Sequence, residues 1–269
     1  MKKRLLSVVM LTVAAIMAFP LYYIVVSTFK TQAEISQHPF ALPQTWGLFN
    51  YLNVFSKIDI GRGFANTIII TTAAVFLQVL IGSLAAYGMI LRKSWFTSFV
   101  GTLLLVAFTI PLQATLIPIY RMSAKLGTVN TVHGLVLIYL GSAVFCYFLI
   151  VGYMRSVPKE LFEAARIDGA SHWRIYYAIV LPLIRPILTT VVIFQTMATW
   201  NDFLWPNIML SSTEKRTIVL QVFNANSQFS TNWPMFMTIT VIALVPVFVF
   251  FLFTQRWIVA GLISGSVKR

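Results

Sequence analysis

The chain has 269 residues, 58% of them hydrophobic and 10% charged, with a mean hydropathy of +0.82. A soluble domain carries about a quarter charged residues, so an ordinary water-soluble enzyme is excluded and a polytopic membrane protein is expected. The formal charge of +13 invites a nucleic-acid partner, but that reading fails if the bases sort to one side of a membrane.

A crossing needs about 20 mostly apolar residues to traverse about 30 Å of hydrocarbon. Six stretches qualify, at about 5–28, 64–91, 97–120, 132–154, 184–209 and 235–258. The first follows Lys2, Lys3 and Arg4 as a signal peptide would, but its apolar run continues past Pro20 to about Thr28. That is longer than the roughly 7–15 apolar residues of a signal peptide, so an uncleaved anchor is expected. With the N-terminus inside, 13 of the 20 bases fall on inner segments. This asymmetry follows the positive-inside rule and predicts both termini in the cytoplasm. It explains most of the basic charge, and no case for nucleic acid remains.

Between the first two crossings, "HPFALPQTWGLFNYLNVF" suits an interfacial loop with short helices. "RKSWF" at 92–96 is a tight inner turn, and in the outer connection 121–131 Gly127 marks a turn or helix stop. The outer connection 210–234 is long, and long ordered loops usually have a function. Pro111, Pro118, Pro206 and Pro246 lie at membrane depth, where packed neighbours can satisfy the backbone groups that proline frees. Gly82, Ala85, Ala86 and Gly88 permit close helix approach. Cys146, the single cysteine, reads as a small core residue. His38, His133 and His172 fall in three different segments without metal-ligand spacing. The whole is expected to be one transmembrane domain, 1–269, an all-α integral membrane bundle.

One inner segment differs from all others. "KELFEAARIDGASHWRIYYAIVLP", residues 159–182, carries three acids and three bases in an otherwise apolar chain. Pro158 can start a helix there, and Glu160 and Glu163 suit the positive end of its dipole. Gly169 allows a corner, and Ser171 is a plausible N-cap for a second helix that Pro182 ends. A solvated loop with an interfacial helix accounts for this composition equally well. Against it, Ala164, Ala165 and Ala170 are small where a solvated surface needs no small residue, so the segment reads as one built for docking.

The residues Glu163-Ala164-Ala165, three residues, Gly169, nine residues, then Ile179-Val180-Leu181-Pro182 fit the cytoplasmic-loop pattern of ABC importer permeases. "DGAS" at Asp168–Ser171 resembles the carbohydrate-uptake branch. "KLGTVNT", "WNDFLWP" and "QRWIVAGLISGSVK" resemble the second permease of that branch, the one like the maltose permease G subunit. The resemblance covers essentially the whole chain. It implies a type I importer fold of six transmembrane helices in a prokaryotic inner membrane. It implies a coupling helix, carried by Glu163, Ala164, Ala165, Asp168, Gly169, Ala170, Ile179, Leu181 and Pro182, seated on a separate ATPase. It also implies three partners: a second homologous permease chain, a dimer of ATP-binding subunits, and an extracytoplasmic solute-binding protein contacted by the 210–234 loop, whose tip is "NANSQFSTNW". No Gly-Lys dipeptide occurs, so no Walker A phosphate loop is present and no cofactor is expected in this chain. ATP and Mg belong to the partner ATPase.

Asp202 is the one acid within an apolar stretch, and such acids usually face a protein or water-filled interior. Gln195, Thr199 and Asp202 share one helix face at i, i+4, i+7. With Gln78, Gln113 and Asn201 they suit a path for hydroxylated solutes, with Trp200 and Trp205 stacking on sugar rings. Equally, Asp202 lies near the outer interface and can simply fix a helix end. The leading expectation is the pore-forming subunit of an ATP-driven importer of sugars or oligosaccharides, with glycerol phosphate as a non-sugar alternative. An ion-gradient transporter is the competing class, but it would need several embedded charges.

Overall fold

The computed structural model describes the backbone of residues 2–92, 94–228 and 232–266, and their side chains apart from 2–3, 112–113, 226–228 and 258–266. Among them every regular element is helical: α1 Lys2–Ser27, α2 Gln32–Gln37, α3 Phe49–Lys57, α4 Ile60–Leu91, α5 Trp95–Thr109, α6 Leu116–Lys125, α7 Val132–Tyr139 and α8 Ala143–Met154. Then follow α9 Glu160–Ile167, α10 His172–Ile175, α11 Leu181–Leu183, α12 Arg185–Trp200, α13 Leu204–Met209, α14 Ile218–Gln228 and α15 Trp233–Ser266. Two compact units contain them, Met1–Phe64 with Thr217–Val249, and Ala65–Arg216 with Phe250–Arg269.

In the first unit the predicted interfacial loop carries α2 and α3 and is ordered by polar contacts that composition does not reveal. Lys30 is 1% exposed, and its ammonium donates to the Pro39 and His38 carbonyls at 2.8 and 3.3 Å. Asn50 donates to the carbonyls of Thr28 and Lys30. Thr31 and Glu34 form a capping box on α2. The N–H groups of Thr31 and Gln44, with the Thr31 hydroxyl, hold the Glu34 carboxyl below its ordinary range.

Among the described residues, four helices are long and apolar enough to cross a membrane: α1, α4, the run Val132–Met154, and α15. A fifth crossing arises if His172–Leu183 and Arg185–Trp200, bent by 78°, act as one span. The predicted third crossing is not one helix. Ile110 is extended (φ −73°, ψ 120°), as the residue before Pro111 prefers to be, and α5 ends at Thr109 after 15 residues. A 3₁₀ turn Leu112–Thr115 and α6 follow it. Pro118 and Pro206 sit in the first turns of α6 and α13, where a missing N–H costs little. Only Pro246 stays within a long helix of this group. The predicted fifth crossing also breaks, at Asn201–Phe203 between α12 and α13. The 210–234 connection is more than a loop, because α14 occupies Ile218–Gln228. Most of its "NANSQFSTNW" tip lies outside the described residues.

Within the second unit α4 packs closely on α8. A methyl group on Gly82 would lie 2.6 Å from Cys146 Cβ and 2.9 Å from the Tyr147 nitrogen. Cys146 is fully buried in this contact, as expected of a small core residue. Gly88, six residues on, has open space around it. Gly82→Ala should therefore lower the unfolding midpoint of the detergent-solubilised protein, costing about 1–3 kcal/mol through overpacking. Gly88→Ala should raise it slightly by removing glycine's entropy from a helix. Thermal unfolding of the two variants beside wild type checks both signs.

Candidate functional site

The polar segment is two-faced. Helix α9 begins at Glu160, not at Pro158 as the sequence suggests. The Lys159 carbonyl accepts the first helical bonds, from Phe162 and Glu163, which makes Lys159 the N-cap. Glu160 and Glu163 occupy the first turn as expected. Phe162 and Ala165, three residues apart, turn inward and are buried, whereas Glu163, Ala164 and Asp168 are exposed. Ala165 is small for packing against the bundle, which corrects the expectation that it faces a partner. Ile167 is 87% exposed.

Gly169 (φ +77°) ends α9 in a left-handed conformation that glycine tolerates. The Gly169 N–H reaches the Arg166 carbonyl and the Ala170 N–H the Ala165 carbonyl, both at 3.0 Å, completing a Schellman cap. Ser171 caps α10 through its hydroxyl, which accepts from the Arg174 N–H at 3.3 Å. The chain then widens into a π-helical turn, Tyr176–Val180, before α11. Pro182 does not end this run, as was expected. It has no N–H to donate and its ring presses on the carbonyl four residues back, and the wider turn absorbs both effects. The break comes at Ile184.

The inner face of the segment is locked into the membrane bundle. Phe162, Ala165, Ile175, Tyr176 and Val180 share one buried cluster with Tyr87, Ile150 and Met154. Ala170, Ile179 and Leu181 pack half-buried against it, and Pro182 is exposed. The Tyr176 and Ser83 hydroxyls bond at 2.8 Å, and the Tyr87 hydroxyl donates to the His172 carbonyl at 3.1 Å. These contacts join the segment to α4 and α8.

A second polar constellation lies inside the bundle. The Val132–Met154 run tightens to 3₁₀ over Leu140–Ser142. Gln78 donates to the Tyr139 carbonyl at 2.8 Å, and Gln195 to the Ser142 carbonyl at 3.3 Å and the Gln78 side-chain oxygen at 3.0 Å. Both glutamines are buried. The Tyr139 hydroxyl donates to Asp202 at 2.8 Å, and the other Asp202 oxygen accepts from the Leu204 N–H at 2.9 Å. Asp202 thus lies beyond the end of α12 and caps α13, so it does not share a helix face with Gln195 and Thr199. Thr199 and Trp205 are buried, and Asn201 is exposed with its amide on the Met197 carbonyl. The Gln113 side chain lies outside the described residues.

Beside this network, a cavity of about 530 Å³ opens between α4 and α12. Thr71, Thr72, Ser83, Thr196 and Trp200 line it among aliphatic side chains. The Thr71 hydroxyl is buried with no protein partner. Of the residues expected on a solute path, Trp200 alone lines this cavity. Away from the polar segment, Asn130 (φ +57°) ties two connections together. Its N–H donates to the Met209 carbonyl and its side chain exchanges bonds with Ser212, while Lys215 reaches its carbonyl. Asn66 reaches the carbonyls of Glu214 and Arg216. The motif "KLGTVNT" contains Asn130, but nothing in the sequence indicates its partners.

Residues 78–264 match the family described as "Binding-protein-dependent transport system inner membrane component". The chain belongs to this family. Its relatives include the probable starch degradation products transport system permease protein AmyC of Thermoanaerobacterium thermosulfurigenes, 33% identical over 100% of this chain and 98% of that one. The melibiose/raffinose/stachyose import permease protein MelC of Bacillus subtilis is 32% identical over 98% and 96%. A crystal structure of a bacterial ABC transporter for alginate import contains a chain of the same fold, with a TM-score of 0.81 at 23% identity, covering 94% of this chain and 95% of that one. This permease is the multi-pass membrane component of its transporter, and ATP hydrolysis resides in a separate chain.

The Asp202 geometry gives a direct test. Asp202→Asn keeps one acceptor oxygen, for the Leu204 N–H, and its amide can donate to the Tyr139 hydroxyl oxygen, so it should unfold near the wild-type midpoint. Asp202→Ala removes both bonds and should cost about 1–3 kcal/mol, read as a lower unfolding midpoint in detergent.

Proposed function

We propose that this permease is one of two homologous membrane subunits of an ATP-driven importer of sugars or oligosaccharides. On this reading the chain is a single permease domain crossing the inner membrane six times, with both termini in the cytoplasm. Its partners are a second permease chain, a pair of ATP-binding subunits and an extracytoplasmic solute-binding protein. The crossings are α1, α4, α5 with α6, the Val132–Met154 run, α12 with α13, and α15. The excess of bases on the segments assigned to the inside supports that orientation.

The observation that carries the proposal is the asymmetry of residues 160–182. Ile167 stands almost fully exposed on a helix whose opposite face is buried in the bundle. An exposed aliphatic side chain rimmed by Glu163 and Asp168 suits a protein cleft, and the Schellman cap fixes its position. We assign the docking contacts to Glu163, Ala164, Ile167, Asp168 and Gly169. Ala165, Ala170, Ile179 and Leu181 anchor the segment from within, and Pro182 shapes its exit.

The solute class rests on full-length relatives named for starch products and for melibiose, raffinose and stachyose. The cavity between α4 and α12 has matching chemistry, with threonine and serine hydroxyls to bond sugar hydroxyls and the Trp200 ring to cover an apolar sugar face. Gln78, Gln195, Thr199 and Asp202 act from inside the bundle, holding the helices that form its walls. Alternating access to this path follows ATP-driven movement of the docking segment.

Ile167→Asp should leave insertion and unfolding midpoint unchanged, because the residue is exposed. Association with the ATPase should weaken by about tenfold or more if Ile167 is a central docking contact. Solute-stimulated ATP hydrolysis of the reconstituted transporter should fall with it. Wild-type stimulation in this variant would refute the docking assignment.

A further inference from the structure

A cavity of about 770 Å³ opens between α4, α5 and α8 at the end of the bundle that carries the polar segment. It is amphiphilic along its length. On α5, Thr97 and Ser98 line it in the first turn, and Leu105 lines it about 12 Å further along, at 1.5 Å per residue. Helix α8 runs the opposite way, with Phe148 and Val151 on the wall before Arg155, its C-cap. Hydroxyls and cations therefore meet at one end, and toward the other the lining is mainly hydrocarbon, with the Thr102 and Tyr147 hydroxyls among it.

The polar end is strongly electropositive. Arg155 and Lys159 both line it and both are exposed, no acid lines it, and neither cation forms an ion pair among the described residues. The depth is marked independently. Trp95, Phe96 and Phe99 are exposed on the same turns of α5, with the Trp95 and Phe99 rings stacked at 5.8 Å, as aromatic side chains are at the headgroup level of a bilayer. Basic pockets between membrane helices at that level suit anionic headgroups.

We propose that this cavity binds an anionic phospholipid, its phosphodiester held by Arg155 and Lys159 and its acyl chain lying along Leu105, Phe148 and Val151. A free phosphate would satisfy the cations but leave the apolar end unfilled. The bound lipid touches the turn between α8 and α9, since Lys159 is also the N-cap of α9. The fixed end of the docking segment thereby becomes sensitive to membrane composition. The site depends only on the embedding of α5 and α8 in a bilayer, and is independent of the solute carried.

The test uses the assembled transporter in nanodiscs of phosphatidylcholine with 0–30 mol% phosphatidylglycerol, at about physiological salt. Native mass spectrometry should find phosphatidylglycerol retained by wild type, with affinity for it reduced on the order of tenfold or more in R155Q/K159Q. Arg256→Gln, which removes an exposed base outside the cavity, should retain the lipid as wild type does. Phosphatidylglycerol with a photoreactive group in its acyl chain should label the peptides containing residues 97–105 and 147–155. The proposal is overturned if R155Q/K159Q retains the lipid like wild type, or if Arg256→Gln loses it equally, which would indicate general surface attraction. Equal retention of phosphatidylcholine, displacement of the lipid by millimolar inorganic phosphate, or labelling elsewhere would overturn it as well.

Discussion

Hydrocarbon offers no partner to an unpaired backbone carbonyl, and everything between α4 and α12 is arranged around that fact. At the 3₁₀ stretch Leu140–Ser142 the Tyr139 and Ser142 carbonyls accept side-chain donors, from Gln78 and Gln195. Because the two glutamines also bond to each other, three membrane segments are fixed at one level by side chains rather than by apolar contact alone. Between membrane helices apolar burial drives little association, so such bonds and close backbone approach take over its role. The Gly82 contact with α8 is the second half of the same solution. The cavity beside Trp200 exists because these contacts hold α4 and α12 at a set distance.

The docking segment depends on that frame. Its exposed face offers little to hold itself in place, since Ala164, Gly169 and Asp168 have small or solvated side chains. Its buried face supplies the rigidity: Phe162 and Tyr176 enter the cluster that contains Tyr87 and Met154. Stiffness at this joint matters more than affinity, because a flexible joint would dissipate any displacement before it reached a membrane helix. The Schellman cap and the π-helical turn are the two backbone features that achieve it, one closing α9 and the other carrying the chain past Pro182.

Much of this was legible in the residues. The segment's helix–corner–helix form follows from Glu160, Gly169 and Ser171, but the inward turn of Ala165 beside Phe162 does not. The long apolar runs at α4 and α15 announce themselves by composition. The breaks do not. Pro111 reads equally as a helix end or a tolerated kink, and the choice depends on what packs around Ile110. Asp202 reads equally as a path residue or a cap, and its bond to Tyr139, 63 residues away, is unmarked in the sequence. Gln78 and Gln195 read as lining a solute path, and their bonds to the irregular stretch between α7 and α8 carry no mark in the sequence. Lys30 gives no sign in the sequence of its burial, where two carbonyls accept from its ammonium. Contacts of this kind join residues whose neighbours in sequence carry no mark of them.

The state of Asp202 has an electrical consequence. It is the single carboxylate within the apolar stretches, and both its oxygens are bound, to a hydroxyl and a backbone N–H. The bases near these stretches, Arg62, Arg92, Arg155, Arg185 and Arg256, stand at their ends. A charge carried through a potential of 100 mV exchanges about 2.3 kcal/mol with the field. Asp202 is tethered to Tyr139 and to the start of α13, so its charge can cross the field only as far as those helices move. Its tether therefore sets how strongly the membrane potential can act on this part of the bundle.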